Sequence, residues 1–247
     1  DANGVLFISS GVPAGNQKFK AWKDYTEQYK TTAGMATFQT SKYIIHTQDW
    51  QGNDLPNIPV QFNHRYSSYM NVGTTGANGK TSIELFPGTR NFKATKDYTS
   101  KTGNLTIASS GNSGILVLQT AKFNIHVINS AGNDMPNIPV QFNHRYSSYM
   151  NVGTTDANGM TSIELYPGAR KFKATKDYTS QAGILTINTS GAEDEIEFQT
   201  AKATALVKDC DNGQPIPGVL VQFNHRYSSY MNVGTTGADG KASIELF

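Results

Sequence analysis

Cysteine is nearly absent from this chain. Cys210 stands alone among 247 residues, so no disulfide forms within the chain, and it lies outside any metal-ligand spacing. Its expected role is that of an incidental, half-buried thiol. Charge is scarce as well, at 16% of residues, and the formal balance is only +2. With no basic stripe or arm, the electrostatic footprint of a nucleic-acid partner is missing. Hydrophobic runs are too short to span a bilayer. No Ser-His-Asp arrangement, carboxylate pair at a cleft, Gly-rich phosphate loop or nucleophilic cysteine with a partner is present, so the reading is of a protein that is not an enzyme and needs no cofactor. The chain opens Asp-Ala-Asn-Gly without an initiator Met or a signal peptide. Either a leader has been removed or this is a section of something longer, and the repeats favour the section.

What the chain does have is repetition. QFNHRYSSYMNVGTT occurs three times, beginning at Gln61, Gln141 and Gln222. The pair Gln-Thr recurs every 80 residues, at Gln39, Gln119 and Gln199, and FKATKDYTS at Phe92 and Phe172 answers to FKAWKDYTE at Phe19. SIELFPG at Ser82 likewise answers to SIELYPG at Ser162 and SIELF at Ser243. Such a period defines the unit of the fold. Residues 41–120 and 121–200 form two complete repeats, 1–40 a partial repeat matching a second half, and 201–247 a partial repeat matching a first half.

Within a repeat, apolar residues alternate with polar ones and turn signals fall every eight to twelve residues, a pattern of seven short antiparallel strands in a β-sandwich. In the second repeat these are A (121–129), B (138–145), C (149–154), D (161–166), E (171–178), F (184–188) and G (195–200). Asp156-Ala157-Asn158-Gly159 is expected to close a tight C–D hairpin, with Asn-Gly supplying positive φ. Pro167-Gly168 turns the chain before E. From Ile115 to Val127 there is no turn residue, and Ile115, Val117, Ala121, Phe123, Ile125 and Val127 keep one parity. Strand G is therefore expected to run directly into A of the next repeat without a hinge, giving a stiff array.

The strand PNIPVQF (Pro56–Phe62), the turn TTGANG (Thr74–Gly79) and ELFPG (Glu84–Gly88) leading into Phe-Lys-Ala resemble the tandem immunoglobulin-like or prealbumin-like repeats of bacterial surface proteins, including Cna B-type and carboxypeptidase-regulatory-like domains. The resemblance covers nearly the whole chain and rests on core and turn signals. It implies an extracellular or cell-surface rod, adhesin or fibre, and names no ligand. Related repeats carry a Lys to Asn isopeptide bond assisted by an acid. Lys122 and Glu164 match two of those parts, but GILVLQT and EIEFQT offer no core asparagine for the third.

If A runs down, the B–C, D–E and F–G loops gather at the top of a sandwich and meet the lower turns of the preceding repeat. The tip of the repeated string, His64, Arg65, Tyr66 and Tyr69 with His144, Arg145, Tyr146, Tyr149 and His225, Arg226, Tyr227, Tyr230, is then placed near turns such as those carrying Asn53, Asp54, Asn78, Asp97 and Tyr98. Three readings stay open: an interdomain joint, a glycan- or protein-binding loop repeated for avidity, and plain surface. The loop histidines fall in separate repeats about 35–45 Å apart, too far to share one metal. His46 and His126 sit on strand A opposite its apolar face. Asn53-Asp54, Asp209-Cys210-Asp211 and Glu193-Asp194-Glu195 could supply oxygens to calcium, although Asx turns and charged sheet edges are their ordinary use. NLT at Asn104 and NTS at Asn188 match glycosylation acceptors. Each partial repeat leaves an open sheet edge. That edge is completed either by more of a longer array or head to tail by strands of another copy.

Overall fold

The computed structural model describes residues 15–65, 68–145, 148–226 and 229–247, with the side chains at 64, 65, 144, 145, 225 and 226 left outside the description. All regular structure among them is β: β1 (Gln17–Lys23), β2 (Thr26–Thr32), β3 (Ser41–Gln48), β4 (Pro59–Arg65), β5 (Ser68–Thr74), β6 (Lys80–Leu85), β7 (Gly88–Lys96), β8 (Thr99–Ile107), β9 (Ser113–Gln119), β10 (Ala121–Ile128), β11 (Pro139–Arg145), β12 (Ser148–Thr154), β13 (Met160–Leu165), β14 (Gly168–Lys176), β15 (Thr179–Ile187), β16 (Glu193–Gln199), β17 (Ala201–Leu206), β18 (Leu220–Arg226), β19 (Ser229–Thr235) and β20 (Lys241–Leu246). Among the described residues no helix is long and apolar enough to cross a membrane.

The chain divides into two compact units. The first holds the described residues up to Gln48 with Asn53–Lys96 and Ser100–Leu118; the second holds Asp49–Gly52, Asp97–Thr99 and Gln119–Phe247. Each contains one complete set of seven strands. In the first unit the sheets run β6-β3-β9 and β5-β4-β7-β8, and in the second β13-β10-β16 and β12-β11-β14-β15. Ladders in the second unit are antiparallel except β10 with β16, where Phe123 aligns with Asp194 and Val127 with Phe198 in parallel. Strands A and G must share a direction if G is to lead onward into the next A.

Alternation is what builds the core. Phe123, Ile125 and Val127 from one sheet and Val140, Phe142, Phe172 and Ala174 from the other are fully buried, and their outward neighbours are not. Phe172 lies 5.9 Å from Phe123 and 6.4 Å from Phe142, ring centre to ring centre. In the first unit Tyr43 takes the place of Phe123, and its buried hydroxyl donates to the Gly88 carbonyl at 2.7 Å. That bond satisfies a polar atom the core could not otherwise hold.

Four sequence expectations are corrected. The parity does not run through the junction: Leu118, Thr120 and Ala121 are buried, whereas Ile115 and Val117 are 49% and 47% exposed. A regular strand cannot bury two neighbouring residues on one face. Thr120 belongs to neither β9 nor β10, and the inward face shifts by one residue there. Second, Asp156–Gly159 is not a hairpin turn, because β12 and β13 lie in different sheets. Only Gly159 has positive φ, at 70°, and Asn158 does not. Third, the E–F connection is the pair Asp177-Tyr178, at φ 47° and 65°. Strand F, expected to begin at Ile184, begins at Thr179, and Gly183 sits inside β15, where a Cβ would come within 2.6 Å of Ile196 on β16. Fourth, Cys210 is exposed on the loop after β17.

Gly159 carries a close approach as well as a φ. A Cβ there would lie 2.5 Å from the Val127 carbonyl oxygen. Gly159→Ala is expected to destabilise the chain by at least about 1–3 kcal/mol, read from the denaturant midpoint.

Candidate functional site

Most of the repeated string is sheet. It forms the paired strands β4–β5, β11–β12 and β18–β19, with a register shift between Asn63 and Arg65, between Asn143 and Arg145, and between Asn224 and Arg226. Its phenylalanine is a core residue, since Phe62 and Phe142 are fully buried. Its last threonine is a clasp. The Thr155 hydroxyl donates to the Met135 carbonyl at 2.6 Å and accepts the Ile138 N–H at 2.9 Å. Thr75 repeats this with Leu55 and Ile58, and Thr236 with Ile216 and Val219. Each is buried, and the N–H at Ile58, Ile138 or Val219 finds its acceptor in that hydroxyl, while the Leu55 carbonyl also accepts the Thr47 hydroxyl at 2.6 Å.

Tyr66, Tyr146 and Tyr227 lie outside the described residues, as do the side chains of His64, Arg65, His144, Arg145, His225 and Arg226. The second tyrosine of the string is described. Tyr69 carries the Lys93 ammonium 4.0 Å from its ring centre and its hydroxyl donates to Asn91 at 3.4 Å. Lys173 sits 4.2 Å over Tyr149. These contacts are to strand E of the same repeat. The third repeat has no such strand among its described residues, and Tyr230 is 63% exposed there.

The described bonds between successive repeats come from other residues. At the tip of each E–F hairpin a threonine hydroxyl accepts a backbone N–H from the segment that follows strand D of the next repeat. In the first unit Thr26 accepts from Phe86 at 3.1 Å. In the second unit Thr99 accepts from Tyr166 at 3.1 Å and Thr179 from Phe247 at 3.0 Å. The same hydroxyls donate back into the turn, Thr26 to the Lys23 carbonyl and Thr179 to that of Lys176. Asp and Tyr hold the turn in the left-handed region in all three copies. The receiving loop is held from behind, since the Arg170 guanidinium donates to the carbonyls of Tyr166, Pro167 and Ala169. Burial pushes the pKa of Arg170 down and that of the Tyr166 phenol up.

The Gln-Thr pair that marks the period is the second part of the junction. Gln119 donates to the Trp50 carbonyl at 3.1 Å, and the site of a Cβ on Gly191 lies 3.0 Å from its amide. Gln199 donates to the Asn129 carbonyl at 3.3 Å. The following threonine bonds to a strand-D glutamate: Thr40 to Glu84, Thr120 to Glu164 and Thr200 to Glu245. At the last of these the Glu245 carboxylate also accepts the hydroxyl and the N–H of Ser130, at 2.6 and 3.2 Å. The Ser130 hydroxyl first, then Thr200, hold Glu245 below the usual carboxylate range, with the Ser130 amide and the Lys202 charge adding to them. Sequence reading used Gln-Thr only as a period marker, although its place between G and A was the available signal.

The remaining candidates are dispersed. His46 bonds Asp54 at 2.6 Å; His126 bonds Asp134 at 2.9 Å, with Glu195 and Glu197 at 3.8 and 3.7 Å. The Asp209 carboxylate accepts the amides of Asp211 and Asn212, an Asx turn. Among the described residues no group of three or more His, Cys, Asp or Glu side chains is placed to hold a metal ion. Lys122 pairs across the ladder with Glu164. Its ammonium lies 4.9 Å over Trp50 and 3.7 Å from Glu193.

No family model matches the sequence, and none of the curated proteins matches it. Among solved structures the chain is similar to the Bacillus anthracis TIE protein, at 15% identity and a TM-score of 0.27, over 94% of this chain and 50% of that one. It thus spans about half that protein's solved length. It is similar to the Streptococcal ancillary pilin at 12% identity and a TM-score of 0.29, covering 84% of this chain and 87% of that one. It is also similar to BcpA, the major pilin subunit of Bacillus cereus, at 11% identity and a TM-score of 0.24, over 84% and 85%. No residue of this chain takes a role from them.

Two outcomes follow from the junction. Thr179→Val removes the acceptor of the Phe247 amide while keeping the shape, and is expected to cost about 1–3 kcal/mol, with faster hydrogen exchange at Phe247. Glu245, with its depressed pKa, contributes stability that is complete above the ordinary glutamate value of about 4.3. That contribution is lost as pH falls through the depressed value. Thermal melts of the native chain across acid pH should show it, and Glu245→Gln should remove that part of the pH dependence.

Proposed function

We propose that this chain is a structural, non-enzymatic protein of the bacterial cell surface, forming the rigid stalk or fibre body of an adhesin or filament. The observation that carries the reading is the recurrence of one junction. The same threonine-to-amide bond and the same Gln-Thr pair join repeat to repeat, and a single residue separates β9 from β10 and β16 from β17. A chain that invests its recurring polar contacts at junctions rather than around a pocket is suited to bearing load. In this reading the His-Arg-Tyr segments of the repeated string, beginning at His64, His144 and His225, serve as joints between repeats rather than as a ligand loop.

Pulling on the chain by force spectroscopy tests this. Complete repeats should unfold one at a time, in contour steps of about 26–29 nm for the 80-residue period, since extended residues span about 3.3–3.6 Å each. A smooth extension without steps would sink the structural reading. Glycan-array binding by the chain that is lost on Tyr149→Ala would instead support the multivalent-module alternative.

A further inference from the structure

The outward face of one sheet changes character between the two complete repeats. In the second unit it carries Asn124 on β10 and exposed Glu193, Glu195 and Glu197 on β16, in the parallel register Asn124↔Glu195 and His126↔Glu197. The equivalent positions of the first unit hold Ile44 on β3 and Ser113, Ile115 and Val117 on β9. Ile115 and Val117 are 49% and 47% exposed, and Ile44 is half-buried. Each outward carboxylate of β16 is thus answered on β9 by an uncharged side chain. The core of the repeat does not ask for this, since these side chains point away from it.

Strand β9 also ends its sheet. The order is β6-β3-β9 in the first unit and β13-β10-β16 in the second, so among the described residues strand G pairs on one side only in both complete repeats. Its inner face is already filled, because a Cβ on Gly103 of β8 would come within 3.0 Å of Leu116. What is left over is a sheet edge beside two exposed β-branched side chains. An added strand there gains ladder bonds and side-chain burial together.

We propose that β9 pairs edge to edge and antiparallel with β9 of a second copy of this chain, so that two copies join side by side. Charge and symmetry argue for this partner. A twofold axis at Leu116 sets Ile115 opposite the partner's Val117 and Val117 opposite the partner's Ile115, so the interface repeats one β-branched pair. Nothing along β9 carries a charge that would oppose its own copy. The same register on β16 would set Glu195 against the partner's Glu197 twice, and like charges directly opposite are destabilising. The edge of the second repeat is thereby guarded, and that of the first is not. Charged groups on this face of the first unit, Lys42, Lys80 and Glu84, stand on β3 and β6, where Lys42 is opposite Glu84 in the ladder. The inference goes beyond the fibre reading, which concerns the order of repeats along one chain.

The test is sedimentation of the 247-residue chain over a wide concentration range, with hydrogen exchange on each species found. The expected result is a concentration-dependent doubling of mass, with new amide protection in the dimer confined to Ser113–Gln119. Ile115→Glu combined with Val117→Glu installs the side chains that β16 already carries in the same fold. That variant should stay monomeric at every concentration while melting as the parent chain does. A parent chain that is monomeric throughout overturns the proposal. So does a dimer whose protection falls outside β9, or one that persists in the double glutamate variant. Stepwise unfolding of single molecules would be the same in each case, so failure here is distinct from failure of the structural reading.

Discussion

The junctions depend on an amide that its own repeat leaves without a ladder partner. After strand D the chain leaves its sheet, and the N–H of Phe86, Tyr166 or Phe247 points to where no strand follows. A buried donor left so costs about 1–3 kcal/mol. Each is instead met by a threonine hydroxyl from the preceding E–F turn. The bond needs a loop that holds still and a turn that reaches, and both are built. Arg90 and Arg170 tie the loop carbonyls from behind, and the two-residue turn sets its threonine at the hairpin tip.

That turn is an unusual solution. A two-residue hairpin with both central residues at positive φ is normally filled by Asn-Gly or Gly-Gly, yet this chain uses Asp-Tyr three times. Aspartate tolerates the left-handed region; a tyrosine there pays a steric penalty of about 1–2 kcal/mol. Such strain persists where the surroundings over-determine it. Here they do, since the flanking strands pair from Gly168↔Ile187 to Lys176↔Thr179 and the threonine is held by two hydrogen bonds. A smaller cost sits nearby. The Tyr166 hydroxyl is buried with no partner among the described residues, at a position where the first repeat has Phe86 and the third Phe247.

The strands were legible because half-buried sheets write period two into the sequence, and five of the seven predicted in the second repeat, A, B, C, D and G, match the observed bounds to within two residues at each end. What misled was chemistry that local rules do not encode. Strand F was expected only from Ile184, but β15 starts at Thr179 and holds Gly183 in its interior, where Ile196 of the facing sheet takes the space of a side chain. Asp177-Tyr178 looked like the end of strand E, because no propensity rule nominates tyrosine for a left-handed turn. The parity argument from Ile115 to Val127 failed at one residue, since a run without Gly or Pro can still leave its sheet when a buried threonine finds a glutamate to bond. The candidate site was legible by position, at the ends of strands, and less so by residue.

The string that repeats most faithfully to the eye therefore has a physical account for much of its length that requires no ligand. Phenylalanine fills the core, the strand pair spans one side of the sheet, and the closing threonine accepts a backbone N–H and donates to a loop carbonyl. A binding loop grafted onto a scaffold would be expected to concentrate its unusual chemistry at the tip and leave ordinary strand residues behind it. Among the described residues of the string the demanding positions are the core Phe142 and the clasp Thr155, and the Tyr149 ring already holds Lys173 of its own sheet. What the described part of the string contributes is order within a repeat, and the turn threonine and Gln-Thr pair contribute order between repeats. The two kinds of contact meet at strand E, which pairs with the string through β11 and carries the docking turn at its far end. Loosening either one loosens the other.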